Sequence, residues 1–330
     1  MPGATFVGLS TLDMVYRVPA PPGPDEKVQA TAQDFAAGGP AANAAVTFAA
    51  LAGSAAPGGS ATLVTALGRH ALAREVAAEL GSRGVLVVDA MPDRAEPPAV
   101  SSAYVVEETG QRSVVSVNAA GADPSAPARL AAVAAAAPVL LLDGQYPRLA
   151  LAAAAAARAA GRVVVLDGGS WKPVLPDLLT HVDVAACSAV FRTPGTGSVE
   201  ESAVALRDRY GVPAVAVTAG PEPVRWWYAG AAGQVPVPPV RARDTLGAGD
   251  AFHGALAWAL ACDAEARDPR AGVAGGAGVA RGVGLPDADG FVTALTFAAR
   301  VAALRCETPG PRRWLTDPRL AEFAAALDRQ

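Results

Sequence analysis

Short, continuous apolar runs punctuate the chain at Ala61–Leu67, Val85–Val88, Val139–Asp143, Val163–Asp167, Val182–Ser188 and Ala214–Thr218. Runs without polar alternation are how strands buried on both faces of a parallel sheet read. Longer Ala-rich stretches around 70–82, 147–160, 199–210 and 251–261 lie between them and predict helices. The alternation predicts an α/β fold, with a central, mostly parallel sheet covered by helices on both faces.

Two regions break this rhythm. Residues 12–36 and 100–118 read as extended pairs with polar alternation, the second turning at Glu107–Gln111, and neither has an adjacent helix to cover it. They predict a small β-sheet projecting from the core, either as a lid over a site or as an ordinary edge meander. Ala271–Gly284, rich in Gly, Ala and Val, reads as a surface connection between helices.

Composition narrows the class. A chain of 330 residues, 52% hydrophobic, can bury one large core or two smaller ones. With 27 Lys and Arg against 31 Asp and Glu, the net charge is −4, so no basic field exists to attract nucleic acid. Cys187, Cys262 and Cys306 are odd in number and far apart, which suits a reducing compartment and offers no C-x-x-C pair for zinc. The start of the chain lacks a basic region ahead of its apolar stretch, and the Ala-rich runs fall short of the roughly 18–20 residues of a membrane span. The expectation is a cytoplasmic protein with no membrane association.

The most informative stretch is Asp244-Thr245-Leu246-Gly247-Ala248-Gly249-Asp250-Ala251-Phe252. Its small residues lead straight into an apolar helix, so the backbone N–H groups of the turn face outward and the helix dipole adds to their attraction for an anion. A carboxylate there repels an anion, yet Asp250 is well placed to take the proton of a hydroxyl attacking a phosphoryl group held by those amides. Helix capping needs only one of the two aspartates. A second constellation, Gly38-Gly39-Pro40-Ala41-Ala42-Asn43, opens another helix, where the Asn43 amide can contact a polyol; Asp13, following the first core strand, offers a further acceptor.

Together the two constellations resemble the ribokinase family, the PfkB carbohydrate kinases, along essentially the whole chain. The resemblance implies one ribokinase-like catalytic domain over 1–330, with lid strands from about 12–36 and 100–118. It implies Asp250 as general base, with Gly247, Ala248 and Gly249 forming the anion hole. Asp13, Gly38, Gly39, Asn43 and Arg112, with Asp250, would bind the sugar. Ser188, Thr218, Gly220, Gly247 and Gly249 would face the nucleotide, and Asp244 would serve a monovalent-cation site. Mg–ATP is the implied donor, K+ a possible activator and a homodimer the expected assembly.

Some positions depart from the family pattern. The Asn-x-x-Glu expected after Val182–Ala186 reads Ser188-Ala189-Val190-Phe191, so Ser188 stands for the Asn and no Glu follows. Pro223 occupies the place of a second glycine after Gly220. His253, one turn beyond Asp250, reads as a packing residue, whereas Lys172 follows a strand end where a phosphate contact is one reading. Details such as Arg112 and Phe252-His253-Gly254-Ala255 favour a ketose-type kinase. The alternatives are a nucleoside kinase of the same fold, using Tyr16, Phe35 and Tyr104 around a base, and a degenerate sugar sensor. A dinucleotide oxidoreductase is excluded because no Gly-x-Gly-x-x-Gly follows the first strand.

Overall fold

The computed structural model describes residues 2–55, 60–267 and 284–327. Its strands are β1 (Gly3–Val7), β2 (Thr11–Val18), β3 (Ala32–Gly38), β4 (Ser60–Thr65), β5 (Val85–Asp89), β6 (Ala99–Val106) and β7 (Arg112–Ser116). They continue with β8 (Val139–Leu142), β9 (Val163–Gly168), β10 (Val184–Ser188), β11 (Ala214–Ala219), β12 (Glu222–Tyr228) and β13 (Ala231–Val235). The helices are α1 (Pro40–Ala55), α2 (Ala71–Ser82), α3 (Leu130–Ala136), α4 (Pro147–Ala159) and α5 (Leu175–Leu178). After these come α6 (Val199–Asp208), α7 (Ala248–Ala266), α8 (Ala288–Glu307) and α9 (Pro318–Leu327).

The continuous apolar runs build one sheet in the order β13-β12-β11-β10-β9-β8-β1-β4-β5. From β11 to β5 the pairings are parallel, and β12 and β13 add an antiparallel edge. Alternate residues feed two apolar layers: Val139 and Leu141 of β8 face one, Leu140 and Leu142 the other. This is why these strands read as unbroken hydrophobic runs. Pro223 sits beside the register shift between β11 and β12, where its missing N–H disturbs no regular ladder. The Ala271–Gly284 connection lies outside the described residues except for Gly284.

β1 pairs with β4 on one side and β8 on the other, so the chain leaves the carboxyl ends of these neighbours in opposite directions. A crevice at such a switch point is where open α/β sheets bind ligands. Over that end lies a separate sheet, in the order β3-β2-β6-β7, formed by the two regions read as extended pairs. Its register puts Asp13 opposite Ala36 and Ser101, while Tyr16 lies opposite Gln33 and Tyr104 on the other face. Val15, Ala103 and Val105 are buried and pack on Leu246 of the glycine turn, which identifies the site-facing side.

Small residues bring α1 and α7 together behind the site. A side chain at Gly254 would place its Cβ 2.3 Å from the Ala44 carbonyl oxygen and 2.7 Å from Thr47 Cβ, so the two backbones nearly touch. Phe6, Phe48 and Trp258 fill the layer beneath, with edge-on ring contacts at 5.7 and 5.2 Å. Alanine normally favours a helix over glycine, but Gly254→Ala should lower stability by about 1–3 kcal/mol through overpacking. Urea unfolding checks this, and a more stable variant would contradict the close approach.

Candidate active site

The glycine turn is held open by its own backbone. Gly247 has φ of 77°, in the left-handed region, and α7 begins one residue later. Leu246 N–H donates to Asp244 Oδ1 at 3.0 Å and Ala248 N–H to the Thr245 carbonyl at 3.3 Å. The N–H groups of Gly249 and Asp250, in the first helical turn, have no carbonyl partner among the described residues, as expected at a helix start. They and the helix dipole make the mouth of α7 attractive to an anion.

Asp250 sits in that mouth. Asn43, in the first turn of α1, donates through Nδ2 to Asp250 Oδ2 at 2.7 Å. The opposite side of the amide is fixed: Arg312 Nη1 donates to Asn43 Oδ1 at 3.0 Å, while Arg312 Nε donates to Glu79 Oε1 at 2.9 Å. Arg312 also bonds to the Ala37 carbonyl. The run Glu79–Arg312–Asn43–Asp250 therefore dictates which face of the amide the carboxylate meets. Burial and the Asp167 charge push the Asp250 carboxyl up to about 6, against the opposing Asn43 hydrogen bond and His253.

Asp13 reaches the same place from β2. Thr11 Oγ1 donates to its Oδ1 at 2.6 Å, and a Cβ at Gly38 would fall 2.0 Å from Oδ2, so that glycine makes room for the carboxylate. Burial raises the pKa of Asp13, and hydrogen bonds from Thr11 and Ser101 and the charge of Arg312 oppose the shift. Gly39, at φ 96°, would place a Cβ 2.3 Å from the Leu9 carbonyl oxygen, so no larger residue fits where β3 enters α1. Asp143, following β8, accepts from Leu9 N–H at 2.7 Å and from Ala41 N–H at 3.4 Å. It thereby ties the end of β1 to the start of α1, and burial pushes its carboxyl up to about 6.

Ser188 and Thr218 are lateral neighbours at the carboxyl ends of β10 and β11, and Gly220 follows with φ of 62°. Ser188 Oγ donates to the Gly169 carbonyl at 3.0 Å and Thr218 Oγ1 to the Cys187 carbonyl at 3.4 Å. His253 is buried: Nε2 lies 3.0 Å from the Ala186 carbonyl and Nδ1 lies 3.4 Å from Asp167 Oδ2. It faces a second carboxylate of the site as well as packing in the core. Lys172 Nζ donates to the Ser170 carbonyl at 3.3 Å, and its charge opposes the upward shift of Asp143. Among the described residues no group of three or more His, Cys, Asp or Glu side chains is arranged to hold a metal ion.

Two expected residues are engaged elsewhere. Arg112, expected at the sugar, donates through Nη1 to Thr245 Oγ1 at 2.8 Å, bracing β7 against the glycine turn. Asp244 requires a correction as a cation ligand. Its carboxylate is fully buried and its Oδ2 is taken by Arg17 Nη2 at 2.7 Å, Gly310 N–H at 2.9 Å and Arg305 Nη2 at 3.4 Å. Burial alone would raise its pKa, but Arg305, Gly310 and Arg17 hold it below the usual carboxylate range.

Arg17, Arg305 and Arg312 escape the sequence reading, although Arg305 left a trace there. It continues the buried stripe of α8 through Ala298, Val301 and Leu304, and a charge on an apolar face is a signal in its own right. Arg312, in a loop, carries no such signal.

A carboxylate at an anion-attracting helix start, with further polar groups under a small sheet, defines a site for phosphoryl transfer to a polyol. Residues 1–317 match the family described as pfkB family carbohydrate kinase. The chain belongs to that family of phosphotransferases. Its fold is similar to ribokinase from Giardia lamblia, at 18% identity and a TM-score of 0.81 over 99% of both chains. It is likewise similar to Arabidopsis thaliana ribokinase, solved with ribose and ATP, at 23% identity and 0.72 over 98% of both chains. Phosphofructokinase-2 from Escherichia coli, solved with potassium, matches at 18% identity and 0.68, over 100% of this chain and 99% of its own. Among the described residues no helix is long and apolar enough to cross a membrane.

Arg312→Met removes the group that orients the Asn43 amide while keeping comparable bulk. Turnover should fall about 10–10²-fold, with the nucleotide KM little changed, because the loss is one of alignment. Steady-state kinetics at saturating sugar checks this, and wild-type kcat would remove Arg312 from the alignment.

Proposed function

We propose that this protein is a sugar kinase that transfers the γ-phosphoryl group of Mg–ATP to a hydroxyl of a small sugar, with ketoses favoured. The observation that carries this reading is the placement of Asp250 in the mouth of α7, 2.7 Å from an Asn43 amide whose orientation is itself fixed. Asp13, Gly38, Gly39 and Asn43 would hold the sugar hydroxyls. Asp250 would take the proton of the attacking hydroxyl as its oxygen bonds to phosphorus and the bond to the ADP oxygen breaks. The N–H groups of Gly247–Gly249 would stabilise the charge on the transferring phosphoryl. Ser188, Thr218 and Gly220 would line the nucleotide side.

Magnesium neutralises phosphate charge in such transfers and is commonly held by the phosphates and water with one or two carboxylates. The described residues build no metal cage of their own, which suits an ion that arrives on the nucleotide. The register of the small sheet weighs against a nucleoside acceptor. Tyr16 and Tyr104 share the face away from Asp13, and Phe35, paired with Met14 on that face, is 59% exposed. No aromatic of this sheet lines the site-facing side to stack on a base.

ADP release should be measured over fructose, sulfofructose, fructose 1-phosphate, ribose, 2-keto-3-deoxygluconate and adenosine, with Asp250→Asn as control. A sugar should give strong turnover that falls roughly 10²–10⁴-fold in the variant while ATP binding persists. Silence across the sugars, or a variant as fast as wild type, would overturn the reading. Asp250 must be ionised to accept a proton and its carboxyl lies at about 6, so activity should fall as pH drops through that value. A pH–rate profile with no acid limb there would argue against Asp250 as the base.

A further inference from the structure

Family resemblance puts a monovalent cation beside Asp244, but the residues present do not fit one. The oxygens that would wrap such an ion are occupied by a guanidinium. Arg305 Nη1 donates to the main-chain carbonyls of Asp244 at 3.4 Å and Thr308 at 3.1 Å, and its Nη2 lies 3.4 Å from Asp244 Oδ2. Arg17 and the Gly310 N–H complete the shell of that carboxylate oxygen, at 2.7 and 2.9 Å. Asp244 Oδ1 accepts from Leu246 N–H at 3.0 Å, so the group that Arg305 neutralises is also the one that shapes the glycine turn. Arg305 is 2% exposed, and an arginine keeps its charge in a protein.

We propose that Arg305 is a built-in substitute for the monovalent cation: its fixed charge holds Asp244 and, through it, the turn of Leu246–Gly249, making turnover independent of potassium. A free ion must be bound and is lost by mass action, whereas a covalently attached one is always present. Arg305 acts here as a positioning residue, because it works through Asp244 and touches no reacting group. The proposal rests on the reading of the protein as a sugar kinase.

The test compares tetramethylammonium chloride with potassium chloride at constant ionic strength, using the full-length protein. ADP release by wild type should be the same in both salts, and the thermal unfolding midpoint should show no potassium-specific shift. A rise in rate of about tenfold or more with potassium, or a saturable rise in midpoint, would overturn the proposal. Arg305→Met should be slow without potassium and regain both turnover and thermal midpoint when it is added; wild-type turnover without potassium in this variant would also overturn it. Arg305→Lys, which keeps the charge if the methionine variant fails to fold, should remain indifferent to potassium, and potassium activation of it would count against the proposal. If wild type releases no ADP in either salt, the kinase reading fails, while the thermal comparison still decides whether potassium binds.

Discussion

The near-contact of α1 and α7 at Gly254 and Ala44 is the constraint on which the site depends. The two helices carry Asn43 and Asp250 at their first turns, and their separation sets the 2.7 Å hydrogen bond between them. Side chains larger than alanine along this seam would splay the helices and draw the amide from the carboxylate. Much of the alanine content on this side of the sheet therefore answers to geometry at the mouth of α7, beyond filling volume. Packing density in the core is thus converted into alignment at the surface crevice.

Two aspartates in one nine-residue stretch are pushed in opposite directions. Asp244 meets two guanidiniums and two backbone N–H groups and is held ionised. Asp250 meets one neutral amide and a neighbouring negative charge at Asp167, so its proton is held more tightly than usual. Environments that split the pKa values of like groups separate their roles. The well-paired aspartate organises the backbone, and the under-compensated one is left able to take up a proton.

The sheet was legible because both its faces are covered, which writes unbroken apolar runs into the sequence. The small sheet was legible as extended pairs, but its orientation was not. Which face meets the site depends on Val15, Ala103 and Val105 packing against Leu246, a contact across more than a hundred residues of chain. Asp250, Asn43 and Asp13 could be picked out because small residues and helix starts surround them. The arginines that orient or neutralise these groups could not, since Arg17, Arg305 and Arg312 come from a strand, a helix end and a loop with no shared spacing. The helix α8 was missed altogether, and with it the buried charge that contradicts Asp244 as a cation ligand.

Asp244 has one guanidinium from the body of the protein and one from the small sheet, because Arg305 ends α8 and Arg17 lies on β2. The Arg17 contact behaves as a latch with a spare keeper. Releasing one half of an ordinary buried ion pair leaves a bare charge and costs about 3–5 kcal/mol. Here the keeper stays behind when the latch lifts, so the sheet can swing away from the crevice without stranding the carboxylate. A closure stiff enough to exclude water can then also be opened once per catalytic cycle.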